Sequence, residues 1–471
     1  MHILCVSPDI APYGASPAAK VSSGLSHALR HLNHDVTLLS PLHPSINAKA
    51  LSLARRLDSI HVTLGQHIRE FHIYDGRSAS GVTTVFLDNR SLFERPYDPK
   101  DDSNEDCILR MLVFASAAAQ WLNERKEHFD LVHWHDWPMA LGAVISKHRT
   151  ASLPTLYSVY DLQHQGRLPE IMLSALGLSQ QGYSGDLIYG GSLNLVAAAV
   201  RSSDRVLTMG ASQATSLLSE PFAHGLSRIF KERLSPPLGI PYGIDGGVWD
   251  PSKDRLIAFP YDVSDLSGKV RCKTAIQSLY ALPLRTEVPL LVALMPSLEA
   301  SKPSFVEVLI ALLRNDVQIL LMQSLEVQAP YVDSLRDKFP DRFAQAPMDT
   351  EQKVHQILAG GDLFLVPPDM EDPALTLAAM RYGAAPIAPS TLPLGGDIVD
   401  CDVRMETGTG FVYDETAAAA LLATCQRALG AFADPVGFRH LQARLMKSDY
   451  SWNRVARYYD QIAQEVTTTP G

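Results

Sequence analysis

Cysteine is scarce in this chain of 471 residues, which carries five, at Cys5, Cys107, Cys272, Cys401 and Cys425. They are scattered, odd in number and without Cys-x-x-Cys spacing. A disulfide framework or a zinc site is therefore not expected, and a reducing cytoplasm fits. Positive charge is also in short supply. The formal net charge is −10, with 41 Lys and Arg against 51 Asp and Glu. Nucleic acid is not expected as a partner, because phosphate binding needs a basic surface. No apolar run approaches the roughly 20 residues of a membrane span, so none is expected. The first residues lead straight into a strand-like run, Ile3 to Ser7. They lack the basic and apolar regions of a signal peptide. Generic motifs are missing too. Gly408-Thr409-Gly410 lacks the strand–turn–helix frame of a dinucleotide fingerprint, and Leu266-Ser267-Gly268-Lys269 lacks Walker spacing. Gly225 and Ser227 do not form a nucleophile elbow. No cofactor is expected.

What is present is a globular mix, 46% hydrophobic and 20% charged. The length exceeds one hydrophobic core, so two or three domains are expected. His2 to Ser7 predicts a buried strand, Ala18 to His31 a helix and Asp35 to Ser40 the next strand. Further strands are expected at Thr83 to Leu87, Leu131 to Trp134, Thr155 to Val159 and Arg205 to Met209. Helices are expected at Leu109 to Arg125 and Ser192 to Ser202. A second series of the same kind follows Asp250-Pro251. Its strands are expected at Pro289 to Met295, Val317 to Met322, Leu363 to Val366 and Ala385 to Ala388. Its helices include Leu266 to Ala281, Phe305 to Leu313, Tyr331 to Lys338, Val354 to Ala359 and Ala374 to Tyr382. Alternating strands and helices imply parallel sheets covered on both faces. The Pro- and Gly-rich stretch Ser235 to Pro251 reads as the join. Ligands are expected outside the carboxyl ends of the strands.

Many segments, in order, resemble the glycogen/starch synthase family of GT-B glycosyltransferases. They include ILCVSPDIAPYG (Ile3 to Gly14), DLVHWHDWPMALGA (Asp130 to Ala143), GIDGGVWDP (Gly243 to Pro251) and AGGDLFLVPPDMEDPALTLAAMRYGAAPI (Ala359 to Ile387). GTGFVYD (Gly408 to Asp414) and DYSWNRVARYYDQI (Asp449 to Ile462) extend the match towards the carboxyl end. The resemblance implies an α/β, GT-B fold: two facing Rossmann-like domains with a deep interdomain cleft. The implied boundaries are residues 1–240, residues 241–448, and residues 449–471 as a helix crossing back to the first domain. It implies transfer of glucose from ADP-glucose or UDP-glucose to an α-1,4-glucan, with retention. A true glycogen synthase or another protein is a further implied partner.

Position by position, the family's framework is kept and its reactive groups are partly replaced. Lys302 stands at the family's phosphate lysine, or is an exposed lysine at a helix start. The family arginine five residues earlier is Ser297, which loses a fixed charge and a bidentate donor. Glu371 matches the family's donor-contacting glutamate when aligned from the preceding strand. Aligned from Arg381-Tyr382-Gly383, Met370 takes that place. Leu375, Thr376 and Thr391 complete the implied nucleotide-sugar side. The glycine pair of the family's amino-terminal Lys-x-Gly-Gly loop is replaced by Ser16-Pro17, and Gly14 or Ala15 stands where its lysine belongs. Lys20 either swings in or is a solvated helix lysine.

On the implied acceptor side lie His135, Asp136, Trp137, Tyr160 and Asp161. Tyr160-Asp161 replaces the family's His-Asn pair. A tyrosine can fill the space or stack on a sugar, but does not replace imidazole at neutral pH. The alternative for Trp137 is packing, and for Asp136 capping of the next helix. His133 and His135 share a strand face, but two ligands without a third do not make a metal site. The favoured expectation is a catalytically impaired member of the family with a glucan-binding, nucleotide-binding or regulatory role in glycogen or polysaccharide metabolism. An active transferase and an interaction protein without ligand are the alternatives.

Overall fold

The computed structural model describes the whole chain apart from residues 15, 66, 102–103, 151, 180, 296–302, 324–329, 368–372, 392–393, 395, 415–417 and 469–471. In chain order it begins with β1 (His2–Val6), α1 (Pro17–His31), β2 (Asp35–Leu42), β3 (Ala54–Leu64), β4 (His67–Arg77), β5 (Thr83–Asp88) and α2 (Glu105–Asn123). Next come β6 (Leu131–His135), α3 (Ala140–Arg149), β7 (Thr155–Ser158), β8 (Arg167–Pro169), α4 (Met172–Ala175), β9 (Ile188–Tyr189) and β10 (Ser192–Asn194). Then follow α5 (Leu195–Ser202), β11 (Arg205–Met209), α6 (Gly210–Ser216), α7 (Ser227–Glu232) and β12 (Leu238–Ile240). The second series is α8 (Ser267–Leu279), β13 (Leu290–Met295), α9 (Pro303–Leu312), β14 (Gln318–Gln323), α10 (Pro330–Lys338), β15 (Phe343–Pro347) and α11 (Glu351–Gly360). It ends with β16 (Leu363–Leu365), α12 (Ala374–Arg381), β17 (Ala385–Pro389), β18 (Phe411–Tyr413), α13 (Ala418–Phe432), α14 (Pro435–Lys447) and α15 (Trp452–Thr468).

Two compact units result: Met1–Ile240 with Trp452–Gly471, and Pro241–Ser451. In unit 1 the main sheet runs β12-β11-β7-β6-β1-β2-β5-β4-β3 among the described residues. It is parallel from β12 to β5 and antiparallel across β5-β4-β3. In unit 2 the sheet runs β15-β14-β13-β16-β17-β18, all parallel. The strand order reverses beside β1 in unit 1 and beside β13 in unit 2.

Residues of β1 alternate between two cores. Leu4 and Val6 join Met111, Phe114, Trp134 and Tyr157 on one face. Ile3 and Cys5 join Leu25, Leu131, Val455 and Tyr459 on the other. A parallel strand buried on both faces tolerates only such an unbroken apolar run. The second face is covered by α1 and by α15, whose buried stripe is Val455, Ala456, Tyr459, Ala463 and Val466. That spacing is the apolar stripe of an amphipathic helix.

Two expectations are corrected. Ser192 to Ser202 is not one helix. Ser192–Asn194 pairs with β8 and β9, and α5 starts at Leu195. Asn194 causes the break, since its side chain accepts from the Ala197 N–H as a helix cap. The hairpin of β3 and β4 has no counterpart in the predicted elements. Its signal is the alternation of buried Ile60, Val62 and Leu64 with exposed His61 and Thr63. Among the described residues no helix is long and apolar enough to cross a membrane.

Candidate functional site

The carboxyl end of β6 lies beside the point where unit 1 reverses its strand order, the place where α/β sheets bind ligands. Two histidines alternate on it, so both project to one face. His133 is 1% exposed and His135 0%. Their ring centroids are 3.9 Å apart. His133 Nε2 lies 2.8 Å from Ser158 Oγ, and His135 Nδ1 lies 2.7 Å from Tyr160 Oη. Each ring thus spends one nitrogen on a hydroxyl. The other nitrogens, His133 Nδ1 and His135 Nε2, have no hydrogen-bond partner. Burial drives both rings towards the neutral form. It pushes His135 down to about 3 and His133 well below the ordinary range.

Tyr160 sits just beyond β7, buried at 6% exposure. Its N–H donates to Asp136 Oδ1 at 3.4 Å, and its carbonyl accepts from Gln213 Nε2 at 3.0 Å. Burial pushes the phenol well above its ordinary pKa. Asp136 does not cap the following turn with its side chain, contrary to the capping alternative. It has a φ of 67°, in the left-handed region that non-glycine residues rarely adopt. Strain of this kind gathers at functional sites. Trp137 is 1% exposed and packs over Gly166, where an added Cβ would come 3.1 Å from its ring. Asp161 is half-buried and accepts from the Gln163 N–H at 2.8 Å.

The loop between β1 and α1 turns its donors inward. Ser16 N–H donates to Asp9 Oδ2 at 3.3 Å, and the Ser16 hydroxyl donates to Asp9 Oδ1. Ala19 N–H donates to Ser16 Oγ at 3.0 Å, and Gly14 N–H to the Ile10 carbonyl at 2.8 Å. A Cβ at Gly14 would meet Asp9 Oδ2 at 2.2 Å. The chain's own carboxylate therefore occupies the helix start where an anion would otherwise sit. Lys20 is half-buried on α1.

Unit 1 also carries a concavity of about 850 Å³ beyond the ends of β2 and β5. His43, Asn47, Tyr74, Asp88, Arg90 and Glu94 line it. Neither ring nitrogen of the buried His43 has a hydrogen-bond partner. Burial raises the Asp88 carboxyl. The sequence reading missed these residues, together with Cys5, Ser158 and Tyr459 around the histidine pair. His133 and His135 two apart on one strand were the available signal. Nothing local pointed to their partners.

In unit 2, Lys302, Glu371, Met370 and Ser297 lie outside the described residues. Leu375 is half-buried and Thr376 fully buried in the first turn of α12. Thr376 Oγ1 has no hydrogen-bond partner. Pro373 precedes them at the helix start with no N–H to offer. Thr391 is half-buried in the turn after β17. Another concavity of about 850 Å³ opens at the amino ends of the strands, past Pro289, Asp316 and Asp362. It lies at the end of the sheet opposite Leu375 and Thr391, away from the residues that the resemblance assigns to the nucleotide sugar. Trp249, expected near the hinge, stacks on His355 at 4.1 Å within unit 2. His355 Nδ1 and Tyr382 Oη meet Asp254 Oδ2 at 2.8 and 2.5 Å.

The comparisons with known proteins bear on this arrangement as a whole. The family model described as the starch synthase catalytic domain matches residues 2–232. A glycogen synthase of Anaeromyxobacter dehalogenans is 30% identical over 490 residues, covering 100% of both chains. The chain belongs to the glycogen synthase family. Glycogen synthase 2 of Geobacter metallireducens is 28% identical over 476 residues, covering 98% of each chain. The catalytic domain of starch synthase IV from Arabidopsis thaliana, solved bound to ADP and acarbose, superposes with a TM-score of 0.84 at 21% identity. It covers 99% of each chain and shows the shared α/β fold of the GT-B type. The end-to-end resemblance read from the motifs agrees with the family assignment.

Proposed function

We propose that this family member binds α-glucan on unit 1 and transfers glucose from ADP-glucose or UDP-glucose only weakly. The observation that carries the reading is Tyr160. By the resemblance it stands where the family keeps a histidine beside the reacting sugar. Here a buried, neutral phenol is bonded to His135. It exchanges no proton near neutral pH, whereas imidazole does.

Two further features support the reading. A leaving diphosphate needs positive charge and N–H donors as its bond stretches. In the loop before α1 and its first turn, the N–H groups of Gly14, Ser16 and Ala19 are bonded within the chain. By the resemblance, Ser297 stands in place of an arginine. Losing one such donor costs about 10²–10³ in rate. Glucan binding rests on the concavity of unit 1. Carboxylates, an amide, a guanidinium and the Tyr74 ring are the groups that recognise sugar hydroxyls and sugar faces.

The second reading is an active retaining transferase. Family membership over the whole chain and the His135-Asp136-Trp137 segment favour it. It would use Lys302 and Glu371 as donor-side groups, with Leu375, Thr376 and Thr391 around them. A true synthase as partner would supply what this chain lacks under the first reading.

Transfer of labelled glucose to glycogen from each donor distinguishes the two, measured beside an ordinary glycogen synthase. The expected rate is at least 10²-fold lower, by the loss of one donor alone. Glycogen cosedimentation should persist and should weaken in Arg90→Ala. A rate within tenfold of the reference overturns the weak-transfer reading. If Lys302→Ala and Glu371→Ala then abolished transfer, the second reading would stand.

A further inference from the structure

The strand order of unit 1 brings a third donor to the histidine pair. In the register of β1 and β6, Cys5 is the partner of His133. Cys5 is 0% exposed and projects to the face covered by α1 and α15. Cys5, His133 and His135 each offer a ligand atom, and the three atoms lie within 4.8 Å of one another. Zinc–sulfur bonds of roughly 2.3 Å and zinc–nitrogen bonds of roughly 2.0 Å put tetrahedral ligands roughly 3.3–3.6 Å apart. The cluster therefore needs to contract by about 1.5 Å at most to close on an ion.

Each histidine has one nitrogen held and one free, as a ligand has. Metal-bound imidazoles commonly fix their outer nitrogen on an oxygen acceptor and direct the inner one at the ion. Here Ser158 and Tyr160 hold one nitrogen of each ring at 2.8 and 2.7 Å. The other nitrogens have no partner, although both rings are buried. Bare buried polar atoms are uncommon and call for an explanation. An aromatic lid, Tyr459 on α15, stacks on His133 at 5.4 Å.

We propose that Cys5, His133 and His135 bind one borderline-soft transition-metal ion, zinc(II), between β1 and β6. One thiolate and two neutral imidazoles suit zinc and exclude the hard cations calcium and magnesium, which take oxygen ligands. Three protein ligands leave a fourth position for water. Both rings already hold the neutral form that a metal requires, from burial. Without the ion, burial keeps the Cys5 thiol protonated, pushed up to about 12. On binding, the thiol gives its proton to solvent and the sulfur lone pair to the ion. The site staples two strands whose ligands lie 128 residues apart in the chain, and it adds to the glucan-binding reading without depending on it.

The test uses the untagged full chain, expressed with added zinc and purified without chelator. Elemental analysis should find about one zinc per chain. The chelator-stripped protein should take up cobalt(II) and gain a near-ultraviolet thiolate-to-cobalt band with visible bands of tetrahedral cobalt. Cys5→Ser should abolish the charge-transfer band, and His135→Ala should lower metal content at least tenfold. Cys425→Ser, a buried cysteine of unit 2, should leave the band intact. Zinc below about a tenth of an equivalent with no cobalt band in the unaltered chain overturns the proposal. So does a band that survives Cys5→Ser. The unaltered chain carries the decisive reading, so a variant that fails to fold does not protect the idea.

Discussion

Hydroxyls hold the buried histidine pair of unit 1, whereas backbone carbonyls and a carboxylate hold the buried lysines of unit 2. His133 and His135 are neutral rings, each tied at one nitrogen and bare at the other. Lys269 gives three hydrogen bonds, to the carbonyls of Ala359, Gly361 and Tyr382 at 3.2, 2.7 and 2.9 Å. Lys273 meets Asp362 at 2.6 Å and also donates to the carbonyls of Thr286 and Val288. Asp362 accepts from the Leu290 N–H at 2.9 Å as well. The unit 2 network saturates its cations and ties α8 to the amino ends of β13 and β16. The unit 1 cluster keeps coordinating capacity in reserve. A polar core can therefore be structural in one unit and ready for a ligand in the other.

Breaking the lysine network should have the largest effect. Lys273→Met leaves Asp362 buried without its cation, and removing one member of a buried pair costs about 3–5 kcal/mol. Urea unfolding should show that loss, and Lys273→Met combined with Asp362→Leu should recover most of it. A loss under about 1 kcal/mol would mean the network is not what holds unit 2.

The hydroxyl-held cluster should respond less. Ser158→Ala removes the partner of His133 Nε2, and an orphaned neutral donor or acceptor costs about 1–3 kcal/mol. Thermal unfolding of the metal-stripped protein measures it. A loss as large as that of Lys273→Met would erase the contrast between the units.

A further effect is a pH slope. Burial depresses Lys269 to about 8 from its ordinary 10.5. Between these values the unfolded lysine binds a proton that the folded one has released. Stability should therefore rise with pH across this window, with the full penalty present below about 8. Lys269→Met should flatten that part of the stability–pH curve. An unchanged slope would place the proton elsewhere.

Much of this could be read from the chain itself. The run Ile3 to Val6, the α1 stripe and the strand–helix alternation report local burial, because side-chain period follows backbone geometry. The ordered motifs from Ile3 to Ile462 gave the family. The hairpin of β3 and β4 was legible in the Ile60-Val62-Leu64 alternation but lies among charged residues that hide it. Ser192–Asn194 was misread because three residues beside a helix carry no mark of their strand until Asn194 is seen to cap.

Strand order is what the sequence could not state. Cys5 reaches His133 only because β6 pairs directly with β1, although β2 to β5 lie between them in the chain. Lys273 reaches Asp362 only because β16 lies beside β13. Residue type, periodicity and motif set what each segment is and what chemistry it carries. Which segments become neighbours depends on non-local pairing, whose free energy is spread over whole strands and faces. Local patterns settled the α/β alternation and the family of this protein. The tertiary structure alone decided that a scattered cysteine, two histidines, a serine and two tyrosines would share one buried site.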